Sequence, residues 1–367
     1  METSVLLAPF PNCPALDGCH CVTNSLQKIF HAYGHPVSEE MLLGLGAGMG
    51  FIYWQMKIPG QEQEIVFIGG RGNMKDFYTD LDRRTGVRIR EITTSSAAKA
   101  ETALLDALKQ EKPVFLGGDM GYLPWFHFPI EYHFGGHAFV VCGYDGDQTL
   151  LASDMDQQMS GKKRGFYAPI TLSQLRLARG STFKPFPPKH LRLEFDFSGF
   201  RAPGRPQILS AIGQAAQAHL DPPIKNFGVP GMRHTAKQIL TWPRQFEADT
   251  LRANLFNLYI FIEIGGTGGG CFRSMYARFL EESATIAQLP ELREIAASFH
   301  DSAQRFTAIA LLFQNAFQGG LTTSDLSARI GEASAQFLSI ADLEEKAWKA
   351  LDAVSAGLNP RNPAEMR

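Results

Sequence analysis

A change of pattern near residue 200 restricts this chain's fold more than any other feature. Upstream of it, short apolar runs bounded by Gly, Pro and Asp (65–68, 87–92, 113–119 and 137–144) alternate with amphipathic stretches at 74–85 and 97–109. Runs of that length and boundary read as strands, and the stretches between them as helices. Around 198–206 the alternation stops. Beyond it the apolar positions follow helical spacing and alanine becomes frequent, over 207–220, 231–241, 248–263, a helix opening near Cys271, 289–317 and 323–356. In 248–263, for example, Leu251, Leu255, Leu258 and Ile262 form one stripe. These patterns predict an α+β fold, with a helix-plus-mostly-antiparallel-sheet domain over 1–200 and an all-α domain over 201–367. A length of 367 residues suits two domains. The polar tail 359–367 is expected to fray.

Composition excludes several partners. The formal net charge is −2, with no basic stretch, so neither nucleic acid nor an acidic lipid surface is an expected partner. The opening METSVLLAPFPNCPALDG has no basic region before its short apolar run, and no window offers the roughly 18 apolar residues of a membrane span. A cytoplasmic location is expected. Five cysteines in so large a chain argue for free thiols over a disulfide scaffold.

One of those thiols stands out. In GCHCVTNSL, Cys21 opens a stretch in which Val22, Leu26, Ile29, Phe30 and Tyr33 mark one helical face before Gly34 stops it. Unpaired N–H groups and the positive dipole end at a helix start favour a thiolate there. A nucleophilic cysteine needs a base, and the base needs an acceptor that holds its ring. The run GGHAFVVCGYDGDQTLLASD supplies both, because a strand beginning at His137 turns at Asp145-Gly146 and returns to Asp154. Antiparallel pairing would bring His137 and Asp154 to the same end. Nucleophile, base and acid then follow in the chain order of papain-like folds.

The segments HCVTNSL, GHPVSEEMLLGLGAGMGF and GGHAFVVCGYDGDQTLLASD resemble the N-terminal domain of the butirosin-biosynthesis acyltransferase family, over roughly residues 12–195. Phe227-Gly228, Gly231-Met232 and GGTGGGCFRSMYARFLEESA resemble the helical domain of unknown function that follows it in that family. The resemblance implies a papain-like cysteine-peptidase-type domain that moves an acyl group from a carrier-protein thioester to an amine. It implies Cys21 as nucleophile, His137 as base and Asp154 as orienting acid. It also implies an acyl-phosphopantetheine arm on an acyl carrier protein as donor, a small-molecule amine as acceptor, no bound cofactor and no metal. A second copy of the chain is admissible as a partner. Asp119 and Tyr122 are cleft candidates, and no Gln stands a few residues before Cys21 to serve as an oxyanion donor. The Cys21 N–H is the donor that remains.

Other readings stay open on the sequence. Cys142 reads as packing inside its strand. Cys13, Cys19, His20 and Cys21 have zinc-type chemistry without paired CxxC spacing, and His133 and His137 lack an HExxH frame. Trp125 and His127 lie in an aromatic loop that is either a substrate wall or packing. GLGAGMGF reads as a tight loop lining a cleft. The glycines at 265–270 either bind an anion or join two helices tightly. Near them Glu263, Arg273, Glu281 and Glu282 either pair among themselves, or a carboxylate receives a polyamine or aminoglycoside-like acceptor, with Glu263 and Arg273 as the substrate-binding candidates. The same triad would also serve a peptidase or amidase, and a papain-like fold without activity would be a binding module.

Overall fold

The computed structural model describes residues 7–57, 64–128, 132–156, 160–317 and 321–357. The tail expected to fray, and the first six residues of the lead-in, lie outside them. The chain forms two compact units: Met1–Leu42, Leu81–Asp156 and Lys162–Ala202 make the first, and Leu43–Asp80, Gln157–Gly161 and Pro203–Arg367 the second. The second unit therefore takes in segments from before residue 200 as well as the helical half.

The elements follow in the order α1 (Cys21–Ala32), α2 (Glu39–Leu45), β1 (Met49–Lys57), β2 (Glu64–Arg71), α3 (Phe77–Thr85), β3 (Arg88–Ile92), α4 (Ala97–Leu108), β4 (Val114–Gly118), β5 (His137–Tyr144), β6 (Thr149–Met155), β7 (Gly165–Thr171), α5 (Leu172–Gly180) and β8 (Arg192–Asp196). Among the described residues the α-helices after these are α6 (Arg205–Leu220), α7 (Gly228–Ile239), α8 (Trp242–Gln245), α9 (Ala248–Tyr259), α10 (Arg273–Ile286), α11 (Glu291–Phe317) and α12 (Thr323–Ser355), with a π-helical turn at Ile260–Ile264. The architecture is mixed α and β, with antiparallel sheets first and a helical region after, as the pattern predicts.

In the first unit six strands form one antiparallel sheet in the order β3-β8-β4-β5-β6-β7. Side chains alternate across such a sheet. Phe139 and Val141 of β5 join Val114, Leu116, Leu150 and Ala152 in a core that α4 and α5 close with Leu104, Leu108, Leu172 and Leu175. Helix α1 packs on β4, β5 and β6 with Leu26, Ile29 and Phe30 fully buried. The start of α5 carries a capping box, with Thr171 and Gln174 bonding each other's backbone N–H.

The second unit holds the antiparallel pair β1-β2 and the later helices. Its long helices α11 and α12 bury a stripe that includes Phe299, Phe306, Phe313, Phe337 and Trp348. The stretch GLGAGMGF, expected as a cleft loop, is instead the end of α2, a short turn and the start of β1. Its glycines serve packing: a Cβ on Gly44 would lie 2.2 Å from the Phe279 ring. Among the described residues no helix is long and apolar enough to cross a membrane.

Residues 16–18, which lead into α1, are strapped in place. Gly18 exchanges two backbone bonds with Lys163, at 2.9 and 2.6 Å, and Asn24 Nδ2 donates to the carbonyls of Leu16 and Asp17. Gly18 leaves no room for a side chain, since a Cβ there would stand 2.2 Å from Asn24 Nδ2. G18A should therefore displace Asn24 and lower stability by about 1–3 kcal/mol, read as a drop in Tm. An unchanged Tm would show the strap to be slack.

Candidate active site

Cys21 is the first residue of α1, and His20 before it is extended, so the thiol sits where the helix N–H groups have no intrahelical partner. His20 supplies no side-chain cap. The cap comes from α2: Glu39 Oε2 accepts the Cys19 N–H at 2.8 Å, and Oε1 accepts the His20 N–H at 2.6 Å and the Thr23 hydroxyl at 2.9 Å. The N–H groups of residues 19 and 20 are thereby used. That of Cys21 has no partner among the described residues and remains open as an oxyanion donor.

His137 is the first residue of β5 and pairs back to Gly118 of β4. Its Nε2 lies 2.7 Å from Asp154 Oδ2, and both side chains are only 2% exposed. With Nε2 so engaged, Nδ1 is left for the hydrogen bond with the Cys21 thiol. Asp154 holds its place through further donors. Trp125 Nε1 reaches Oδ2 at 2.9 Å, and the Met155 N–H reaches Oδ1 at 2.8 Å. The Phe126 ring stands edge-on to the imidazole at 5.3 Å. The structure thus brings Cys21, His137 and Asp154 into one hydrogen-bonded chain.

The charges follow from this arrangement. Burial pushes the Cys21 thiol up, but the hydrogen bond and charge of His137 and a hydrogen bond from the Ala138 N–H outweigh burial and the opposing charge of Asp154. The net shift is below the ordinary value of 9.0. Burial pulls the His137 imidazolium down, yet the charge and hydrogen bond of Asp154, followed by those of Cys21, raise it to about 10. Each of the two groups thus favours the charged form of the other, imidazolium and thiolate. Lys163 is buried nearby. Burial lowers its ammonium, and Cys21 is the strongest of the negative groups that oppose this, ahead of Cys19, Asp156 and Glu39.

The remaining sequence candidates find other partners. Asp119 is fully buried in the first unit: its Oδ1 takes the N–H groups of Gly121 and Phe134, and its Oδ2 takes His133 and Ser181. It clamps loop segments together, where a cleft contact was expected. Tyr122 lies in the short 3₁₀ turn that Asp119 caps, 5.1 Å from the His133 ring. In the second unit, Glu263 accepts from Ser160 at 2.5 Å, the Gly270 N–H at 3.0 Å and Thr307 at 2.8 Å. Arg273, left open between ion pairing and substrate contact on the sequence, is 0% exposed. It pairs with Glu344 at 2.8 and 3.1 Å and donates to the carbonyls of Gly50 and Cys271. The glycine turn spends its N–H groups internally, with those of residues 265, 266, 269, 270 and 271 all donating to partners between 260 and 267. That is a tight helix connection. Cys13 hydrogen-bonds Cys142, and among the described residues no group of three His, Cys, Asp or Glu is arranged to hold a metal.

Three residues around the triad were not singled out from the sequence as parts of the site: Glu39, Lys28 and Lys163. Trp125 was left open between substrate wall and packing, and its indole serves Asp154. Glu39 is an acid in the first turn of α2, and Ser38 before it accepts the Met41 N–H. The helix its carboxylate caps is a different one.

The first unit sets a helix headed by Cys21 over an antiparallel sheet that carries His137 and Asp154. Residues 20–155, which hold all three, match the family described as butirosin biosynthesis protein H, N-terminal. Residues 173–351 match a domain of unknown function, DUF4872. The two matches, in this order, agree with the family that the sequence resembles. The first match points to a biosynthetic enzyme of natural-product metabolism with an acyltransferase-like role. No curated protein gives a significant match to the chain.

Two predictions test the electrostatics. H137A removes the largest stabiliser of the thiolate, so the midpoint of Cys21 alkylation by iodoacetamide should rise toward or beyond 9.0; an unmoved midpoint would uncouple the two residues. Glu39 is raised from 4.5 to about 7, chiefly by burial. Its proton is held more tightly in the folded chain, so its contribution to stability is full below 4.5 and is lost as the pH rises through about 7. The Tm advantage of wild type over E39Q should accordingly shrink as the pH rises across that window. A constant difference would show that Glu39 does not titrate there.

Proposed function

We propose that the protein is an N-acyltransferase that carries an acyl group on Cys21 between a thioester donor and an amine acceptor. The observation that carries this reading is the hydrogen-bonded chain from Cys21 through His137 to Asp154. The Cys21 thiolate attacks the carbonyl carbon of the donor thioester, and the Cys21 N–H donates to the oxygen as it becomes negative. The donor C–S bond breaks, and its sulfur leaves with the proton of the His137 imidazolium. The product of this half-reaction is a Cys21 thioester beside a neutral imidazole. The amine then attacks that thioester, His137 takes its proton, and the C–S bond to Cys21 breaks to restore thiolate and imidazolium. Atoms and charges balance over the cycle, and Asp154 holds the ring for both transfers.

The donor's thioester already stores the activation, so the reading needs neither ATP nor a bound cofactor. An acyl-phosphopantetheine arm on an acyl carrier protein is the donor this chemistry suits, and a small-molecule amine the acceptor. Water in place of the amine would make the same site a peptidase or amidase. A site that binds without reacting would make it a carrier-protein or peptide-binding module.

Incubation with an acyl thioester should add the acyl mass to the wild-type chain and none to C21A. With amine present, transfer by C21A should fall by about three orders of magnitude or more. Normal transfer by C21A would overturn the mechanism. Release of free acid at the same rate with and without amine would favour hydrolysis, and a Cys21 that no thiol reagent labels would favour the binding module.

A further inference from the structure

Cys13 and Cys142 are free thiols, 2% and 0% exposed, and the transfer steps proposed above use neither. They are hydrogen-bonded to each other. Two features of the backbone put them there. The pairing of β5 with β6 slips between Val141, which faces Ala152, and Gly143, which faces Leu151, so Cys142 is the extra residue of a bulge. A bulge re-aims the side chain it carries. The lead-in is fastened at the same point. The Phe10 N–H donates to the Cys142 carbonyl at 2.6 Å, the Cys13 N–H donates to the Phe10 carbonyl at 3.2 Å, and the Tyr167 hydroxyl of β7 donates to the Cys13 carbonyl at 2.7 Å. A tight turn from Phe10 to Cys13 thus hangs on the bulge, and its last residue carries the second thiol.

Packing accounts for one buried thiol in a strand, but not for a second one held against it. Two thiols in contact have a chemistry that neither has alone, because one can attack an oxidant and the other can resolve the product. The contact also sets the order of events. Their hydrogen bond is the largest influence on both: it holds Cys13 below the ordinary thiol value, against burial, and together with burial pushes Cys142 above it. Cys13 is therefore the sulfur suited to attack.

We propose that Cys13 and Cys142 form a redox modification site, at which a hydroperoxide joins them in a disulfide that staples the lead-in to β5. The Cys13 sulfur attacks the outer peroxide oxygen. An S–O bond forms, the O–O bond breaks, and the departing oxygen takes the Cys13 proton to leave as an alcohol or water. Cys142 then attacks the Cys13 sulfur. The S–S bond forms, the S–O bond breaks, and the hydroxide leaves with the Cys142 proton as water. The two sulfurs are oxidised and the peroxide is reduced, so no further electron carrier is needed. This chemistry is independent of the acyl transfer proposed for Cys21.

The test treats the folded, full-length C21A chain with hydrogen peroxide and counts thiols by alkylation after unfolding. C21A keeps four of the five cysteines, and the count should fall from four to two. The intact mass should drop by two hydrogens, an unreduced peptide map should join Cys13 to Cys142, and dithiothreitol should restore all four thiols. C13S and C142S, each added to C21A, should abolish the cross-link. Four thiols retained under peroxide would overturn the proposal, as would a disulfide joining any other pair. The map of C21A decides by itself where a serine variant fails to fold. In the wild-type chain the same peptides should be joined whether or not it transfers acyl groups, so failure of the transferase reading leaves this outcome untouched.

Discussion

The hydrogen bond from the His137 imidazole to the Asp154 carboxylate, 2.7 Å long and almost wholly out of water, is the interaction the first unit is built to hold. A carboxylate at that depth must be matched by donors or it will be protonated. The chain supplies an indole, a backbone N–H and an imidazole to the two oxygens, from Trp125, Met155 and His137. Only the last can change its charge. The aspartate therefore favours the imidazolium, and the imidazolium holds the Cys21 thiol below its ordinary value.

The pair was legible because it is local in the topology. His137 and Asp154 stand 17 residues apart on one hairpin, and apolar runs on both sides of an Asp-Gly turn determine that the strands return. The start of α1 was legible for the same reason: its apolar period begins directly after Cys21. Contacts that pair distant elements left no such mark. Glu39 lies 19 residues from His20, Trp125 29 residues from Asp154, and Lys28 126 residues from the carbonyl it reaches. Each belongs to a helix or loop whose own pattern is already accounted for by local rules. The alternate glycines of GLGAGMGF misled in the opposite direction. Small residues suit a bare cleft and a crowded contact equally, and periodicity does not tell them apart.

Strand β1 shows a related limit. Its residues fold back on β2, and both strands belong to the unit that also contains the long helices. The pattern change near residue 200 marks where strands cease in the sequence, whereas unit membership depends on which surface each segment buries. Phe51 of β1 lies 6.2 Å from Phe306 of α11 and 6.3 Å from Phe337 of α12, all within the second unit. A strand can thus be early in the chain and part of a helical core.

Arg273 illustrates how partners, more than burial, decide what a charge is for. Arg273 directs three of its nitrogens at fixed acceptors: both Glu344 oxygens and the carbonyls of Gly50 and Cys271. Glu344 is itself held by Ser302 and Trp348. Every member is matched to a group whose charge stays constant, so the network is suited to specifying one packing of α10, α11 and α12.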